Sequence, residues 1–355
     1  MPRPARTRWP HAALLATALL AASGAAGAQD GKAARRDPAP LFESEVPLAL
    51  TFSADLKRLR GDRKDKAPWR AATLGYVDAD GVARTVPVRA RTRGIWRLKN
   101  CAFPPLRLNF ADSATRNTVF AGLDKPKLVN YCRDTDKYEE YVLREAQLYR
   151  IFALLTPISH RTRLARITYA DAAGKALATR HAILLEEPEA LAARVGGTLV
   201  EVQGARGGDL DPRQAALVGV FQYMIGNSDW STGYLHNAEL VRDSTLEIKL
   251  VPYDFDFSGA VDASYATVDP KLPIKRVRER IYRGHCASAE EFAAVFALFN
   301  ARKEAIYALY RDAIGGLMSE RSVRETLAYF DEFYDTINDP RAARHAIVSA
   351  CMAAQ

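Results

Sequence analysis

Polar and apolar residues alternate along the first half of the chain and fall at helical spacing along the second. Residues 46–52 keep a period of two and read as a strand. Residues 56–66 are a charge run, read as a solvated helix or loop. Residues 73–77 and 82–90 flank Asp78-Ala79-Asp80-Gly81, whose Asp-Gly step predicts a hairpin. A second hairpin is predicted for 163–169 and 179–185, around Asp171-Ala172-Ala173-Gly174. Between them, Leu106, Leu108 and Phe110 share one face of a strand, with Arg107 and Asn109 on the other. Residues 127–131 read as a further strand. Tyr141, Leu148, Tyr149 and Phe152 recur at helical spacing within 138–155, and Thr156-Pro157 ends that helix. Residues 188–195 start a helix that Gly196-Gly197 stops. Asp211-Pro212 opens another, carrying Leu217, Val220, Phe221, Met224 and Ile225. Residues 246–253 alternate as a strand, and helices follow at 289–314, 320–337 and 340–352. The pattern divides the chain into a β-rich part (41–195) and a mostly helical part (196–355), with the Gly-rich stretch 196–210 as boundary.

With 355 residues and 48% hydrophobic composition, the chain can bury a large core. Its first residues change the reading of its charge. Arg3, Arg6 and Arg8 precede an apolar run, and Ala26-Gly27-Ala28 precede Gln29. That is the layout of a secretory signal peptide (1–28), cleaved between Ala28 and Gln29, too short in its apolar part to span a membrane. Removing those three arginines lowers the formal net charge from +8 to +5. So mild a basicity gives no ground for nucleic-acid binding. No other stretch is long and apolar enough for a transmembrane segment. The polar, Pro-containing residues 29–40 read as a flexible linker. Export, to the medium or the periplasm, puts Cys101, Cys132, Cys286 and Cys351 in an oxidising setting. Four cysteines allow three pairings; proximity along the chain favours Cys101–Cys132 and then Cys286–Cys351. No CxxC spacing suggests a zinc site.

The candidate chemistry lies between Phe221 and Asp262. Asn227-Ser228-Asp229 with Asn237, and Asp254 with Asp256, sit at the ends of apolar elements. Oxygen ligands so placed suit a divalent cation and phosphate chemistry; loop caps and turns are the plainer use of the same residues. Glu145 falls on the apolar stripe of its helix, where an acid needs a partner, and Arg107 or Lys127 could supply it. Arg107, or else Lys127, also suits a phosphate, unless these cations merely face solvent from an edge strand. His236 adjoins Asn237 and is either a ligand contact or a satisfied loop residue. There is no HExxH, no GxSxG and no phosphate-binding glycine fingerprint.

Several features together carry a resemblance. They are Arg93-Gly94 and the basic strand ending at Phe110, a helix containing Tyr141-Val142-Leu143-Arg144, and the strand end Leu184-Leu185-Glu186-Glu187. Beyond these come Asn227-Ser228-Asp229, Asn237 eight residues on, and Pro252-Tyr253-Asp254-Phe255-Asp256. Residues 89–262 resemble the CotH-type atypical kinases. The resemblance implies an α+β, protein-kinase-like two-lobed fold with a β-rich N-lobe and a mostly helical C-lobe. It implies Asp229 as the acid that orients or deprotonates an acceptor hydroxyl, Asn237 and Asp254 as ligands of Mg or Mn, and Asp256 as a second carboxylate on that metal. Glu145 would pair with the phosphate-binding cation, Arg107 standing where the family has lysine unless Lys99 or Lys127 serves. Residues 184–187, with Glu186, would meet the adenine of ATP. The function expected is metal-dependent phosphotransfer from a nucleotide to a protein or cell-envelope hydroxyl. A non-catalytic binding protein and a metal-dependent phosphoester hydrolase are the alternatives.

Overall fold

The computed structural model describes residues 39–64 and 66–352. The leader 1–28 and nearly all of the 29–40 linker lie outside them. In chain order the first elements are β1 (Leu48–Ala54), α1 (Leu56–Gly61), β2 (Arg70–Val77), β3 (Ala83–Thr92), α2 (Trp96–Asn100), β4 (Leu106–Phe110), α3 (Asp112–Thr115), β5 (Lys127–Val129), α4 (Asp136–Leu155), β6 (Thr162–Ala170) and β7 (Ala176–Leu185). There follow α5 (Pro188–Arg194), β8 (Thr198–Val200), α6 (Pro212–Ile225), β9 (Ala238–Arg242), β10 (Ile248–Pro252), α7 (Ala289–Ala308), α8 (Glu320–Asn338) and α9 (Pro340–Ala343).

The first seven strands close into a barrel in the order β1-β2-β3-β4-β5-β7-β6. Both hairpins form as their turn residues predict: Asp78 N donates to Val82 O at 2.9 Å and Asp171 N to Lys175 O at 3.0 Å. The alternating apolar positions point inward, so Leu50, Phe52, Leu74, Val88, Leu106, Leu108, Leu128, Ile167 and Leu184 form one core. The closing seam is the parallel pairing of β1 with β6, from Leu48↔Ala165 to Ser53↔Ala170.

This closure overturns the expected protein-kinase-like two-lobed fold. The α+β character stands, but the strands make a closed seven-stranded barrel rather than a kinase N-lobe. The physical reason lies in β1 and β6. Both have apolar faces to bury, and pairing them leaves the barrel no free edge. A parallel seam needs a long crossover instead of a turn, so no local residue pattern announces it.

The helical part is built around α6, buried at every position from Gln214 to Ile225. A helix apolar on all sides must be enclosed, and α7 and α8 pack against it. Its start is as predicted, with Asp211 Oδ1 accepting from Gln214 N at 2.6 Å. A separate antiparallel sheet, β10-β9-β8, carries the strand predicted at 246–253. The helix expected over 340–352 ends early, in a π-turn at Arg344–Val348. Beyond it the tail is drawn straight by Cys286 N donating to Met352 O at 3.1 Å and Met352 N to Gly284 O at 2.9 Å. Both disulfides, Cys101–Cys132 and Cys286–Cys351, form as proximity suggested. Among the described residues no helix is long and apolar enough to cross a membrane.

Candidate active site

The buried helix α6 delivers the first acid. Gly226 caps it with φ 65°, and a Cβ there would lie 2.1 Å from the Tyr329 hydroxyl, so only glycine fits. The chain then turns. Buried Asn227 donates to Gln222 Oε1 at 3.0 Å and its Oδ1 accepts from Asp229 N at 3.0 Å. Arg283 Nη1 donates to Ser228 O, bracing the loop from outside. His236 and Asn237 return to the same place because Ser231 and His236 exchange backbone hydrogen bonds at 2.9 and 3.0 Å. His236 Nε2 meets Asp229 Oδ1 at 2.9 Å. Asn237 Nδ2 donates to Asp229 O at 2.8 Å and Oδ2 at 3.2 Å. The hydrogen bond to Asp229 lifts the His236 pKa above its ordinary value.

The second acid arrives on the β9–β10 hairpin. Its register sets Ala238 against Pro252, and Tyr253 N donates to Asn237 O at 3.1 Å. Asp254 is therefore the residue after the one facing Asn237. Both adopt left-handed backbone, φ 49° for Asn237 and φ 61° for Asp254. Such conformations cost about 1–3 kcal/mol each and persist only where neighbours enforce them. One such neighbour is the Tyr149 hydroxyl of α4, which accepts from Asp254 N at 2.8 Å.

Beneath lie Asp256 and Glu145, both buried. Asp256 accepts from the Tyr265 hydroxyl at 2.9 Å and pairs with Arg97 Nη1 at 3.7 Å. Arg97, itself buried, also donates to Asn130 O and lies in the field of Glu145 and Asp254. Glu145 Oε1 has no hydrogen-bond partner among the described residues. Arg97 thus serves Glu145 and Asp256, while Asp254 also lies in the field of Lys127. Burial, then the neighbouring charges of Asp256 and Asp254, push Glu145 well above the usual carboxylate range. Burial and Asp254 push Asp256 up to about 7.

A raised acid stabilises the fold below its ordinary pKa, and that contribution is lost as pH rises through the folded value. For Asp256 the window runs from 3.8 to about 7. Metal-free protein should therefore lose stability relative to Asp256→Asn across it, by up to about 1.4 kcal/mol per pH unit. Urea unfolding of both proteins at several pH values measures the difference; a gap that does not widen with pH would contradict it.

On the other side of Tyr253 is a cavity of about 450 Å³, lined by Arg93, Arg107, Lys127, Glu239, Leu240 and Tyr253 among others. Arg107 and Lys127 are cross-strand partners. Lys127 Nζ lies 3.7 Å from the Tyr253 ring centre and 3.3 Å from Glu239 Oε1, and burial lowers its pKa. Burial opposes ionisation of Glu239, yet His160 and Lys127 more than offset it and hold the acid down to about 2. Arg107 is lowered by burial and then by the charges of Arg93 and Arg91. Neither Arg93 nor Arg107 has a side-chain hydrogen bond or ion pair among the described residues.

No protein-family model matches this chain, and no curated protein does.

The residues singled out from sequence are distributed as follows. Asp229 and Asn237 are hydrogen-bonded to each other, and Asp254 follows Tyr253, whose amide donates to Asn237 O; Asp256 is buried against Arg97. The cation acting on Glu145 is Arg97, where Arg107 or Lys127 was expected; Lys127 is held by Glu239. Glu186 is built into the fold: Arg194 Nε and Nη2 reach its carboxylate at 2.9 and 2.8 Å, and Arg161 N donates to it at 2.9 Å. Leu184 and Leu185 are paired on both sides, to β5 and β6, and Glu186 N donates to Arg161 O. The backbone expected to meet an adenine is thus engaged along that stretch. Sequence reasoning missed Arg97, Arg93, Glu239 and His160. The only trace of Arg97 is its place between the apolar Trp96 and Leu98.

Among the described residues no three His, Cys, Asp or Glu side chains gather as a ready metal site. Mg needs less than that: one or two carboxylates, with water and substrate phosphate completing its shell. Asn237 Oδ1 and the Asp254 carboxylate are hard oxygen donors of that kind. The orphaned Glu145 oxygen and the mutually raised acids beneath mark a site with unbalanced negative charge, which a divalent cation would relieve.

Proposed function

We propose that this chain catalyses metal-dependent phosphoryl transfer from a nucleotide to a hydroxyl of a protein or cell-envelope acceptor. The observation that carries the reading is the adjacency of two oppositely charged groups of residues. Asn237 is followed by Ala238 and then Glu239, and Asp254 is preceded by Tyr253; these three line the cavity of Arg93, Arg107 and Lys127. Arg93 and Arg107, half-buried and without side-chain partners among the described residues, suit phosphate oxygens, and arginine binds them bidentately.

In this reading Arg93, Arg107 and Lys127 hold the phosphates, and Asn237 with Asp254 hold Mg or Mn. The metal, when bound, supplies charge neutralisation on the transferring group. Asp229 takes the acceptor hydroxyl proton as the acceptor oxygen bonds to phosphorus and the bond to the nucleoside diphosphate oxygen breaks. His236 and Asn237 fix the carboxylate for that task. The chemistry is that implied by the CotH resemblance, and it rests on site residues, not on a shared fold. The leader and the two disulfides support a secreted or periplasmic location.

Thermal unfolding tests the reading. ATP with Mg or Mn together should stabilise the protein by about 2.7 kcal/mol at a hundredfold excess over Kd, and neither should do so alone. Asp254→Ala should abolish the effect. Absence of any shift across nucleotides and metals would sink it. Release of phosphate from a simple phosphoester without nucleotide, lost in Asp229→Ala, would replace transfer by hydrolysis.

A further inference from the structure

Residues 262–284 carry no helix or strand, yet they are held firmly beside the acid loops. Val277 O packs so tightly that a Cβ on Gly226 or Gly259 would lie 3.3 or 2.5 Å from it. Gly226 opens the Asp229 loop, and Gly259 follows Asp256 by three residues. Further along, Arg283 Nη1 grips Ser228 O, one residue before Asp229. This strap therefore touches the roots of both acid-bearing loops.

Its outer side forms a groove of about 800 Å³, whose lining includes Asp262, Thr267, Val268, Lys275, Arg276 and Arg278. Two properties of the groove point to one class of guest. First, its charge is one-sided: Asp262 is the lone acid in the lining, and Arg278 lies 4.0 Å from it. Lys275 and Arg276 stay exposed; Glu279 accepts from the Lys275 amide at 3.3 Å and meets Arg276 Nε at 3.4 Å, the latter a solvent-facing pair worth little. Second, the backbone amides of Thr267, Val268, Ile274 and Arg278 donate to no acceptor among the described residues. Free amides on a concave, turn-rich strap can donate to carbonyl or carboxylate oxygens of a bound chain, while side-chain charge selects its sequence.

We propose that this groove docks an acidic segment of the acceptor polypeptide, its carboxylates against Lys275 and Arg276 and its carbonyls against the strap amides. The proposal rests on the phosphotransfer reading only in calling the guest an acceptor. Docking there brings a hydroxyl carried by the same segment toward the Asp229 loop that the strap braces. A membrane surface fits less well, because the groove is concave.

Fluorescence anisotropy on the full chain tests this with two labelled serine peptides, one flanked by glutamates and one by lysines. The glutamate peptide should bind at least about tenfold more tightly at low salt, and the preference should fade as salt screens it. The double reversal Lys275→Glu/Arg276→Glu, at exposed positions, should cancel the preference while thermal stability is kept. Asp229→Asn should leave it intact, so peptide preference without phosphoryl transfer upholds the groove and removes the reaction. Equal binding of both peptides, or a preference that survives the charge reversal, would overturn the proposal. So would binding of phosphatidylglycerol vesicles that the reversal abolishes while neither peptide binds.

Discussion

Asp229→Asn should lower phosphoryl transfer by about 10²–10⁴-fold, the usual contribution of a positioned general base, and leave Mg-ATP binding almost unchanged. Asparagine is nearly isosteric and keeps one oxygen for His236 or Asn237, so the loop retains its shape. It cannot accept the acceptor proton. The same substitution removes the hydrogen bond that raises the His236 pKa, so His236 should titrate at lower pH, observable by NMR. A loss of activity below about tenfold would show that Asp229 only shapes the loop. A loss accompanied by weaker nucleotide binding would instead assign it to the binding of donor or metal.

Arg97→Met should cost about 3–5 kcal/mol of stability, the range found when one member of a buried ion pair is removed. Against a total of about 5–15 kcal/mol for a typical domain, that is a severe change. The substitution leaves Glu145 and Asp256 beside Asp254 without their cation and orphans Asn130 O. The acids can escape by protonating, so the loss should shrink toward about pH 5 and be largest near pH 8. Urea midpoints of wild type and variant at the two pH values measure it. A pH-independent loss would mean that Arg97 matters for packing and for Asn130 alone.

The features that were legible in the sequence are those with local signatures. Asp78-Gly81 and Asp171-Gly174 turn hairpins whose strands pair at once, and Asp211-Pro212 starts α6 through its own side chain. Glu145 stood out because it interrupts an apolar stripe, and it is indeed buried and in need of a partner. The identity of that partner was not legible. Arg97 sits on a five-residue helix, too short to show a period, and arginine is a poor guess for a buried position. The barrel seam was hidden for a different reason. β1 and β6 pair in parallel across α4 and four strands, so nothing between neighbours in sequence encodes their contact. The two-lobed expectation followed from the order of the acids and cations, and that order is compatible with more than one way of closing a sheet.

The bond between Cys286 and Cys351 closes a loop of 65 residues that contains α7 and α8. Next to it Met352 N reaches Gly284 O, and the preceding residue is Arg283, which holds Ser228 O. The brace on the Asp229 loop is thus anchored by a covalent link that only oxidation can make. Closing so long a loop through packing alone leaves a large conformational entropy to overcome, which the link removes. Bracing of the Asp229 loop is therefore tied to the oxidation of two thiols as well as to folding.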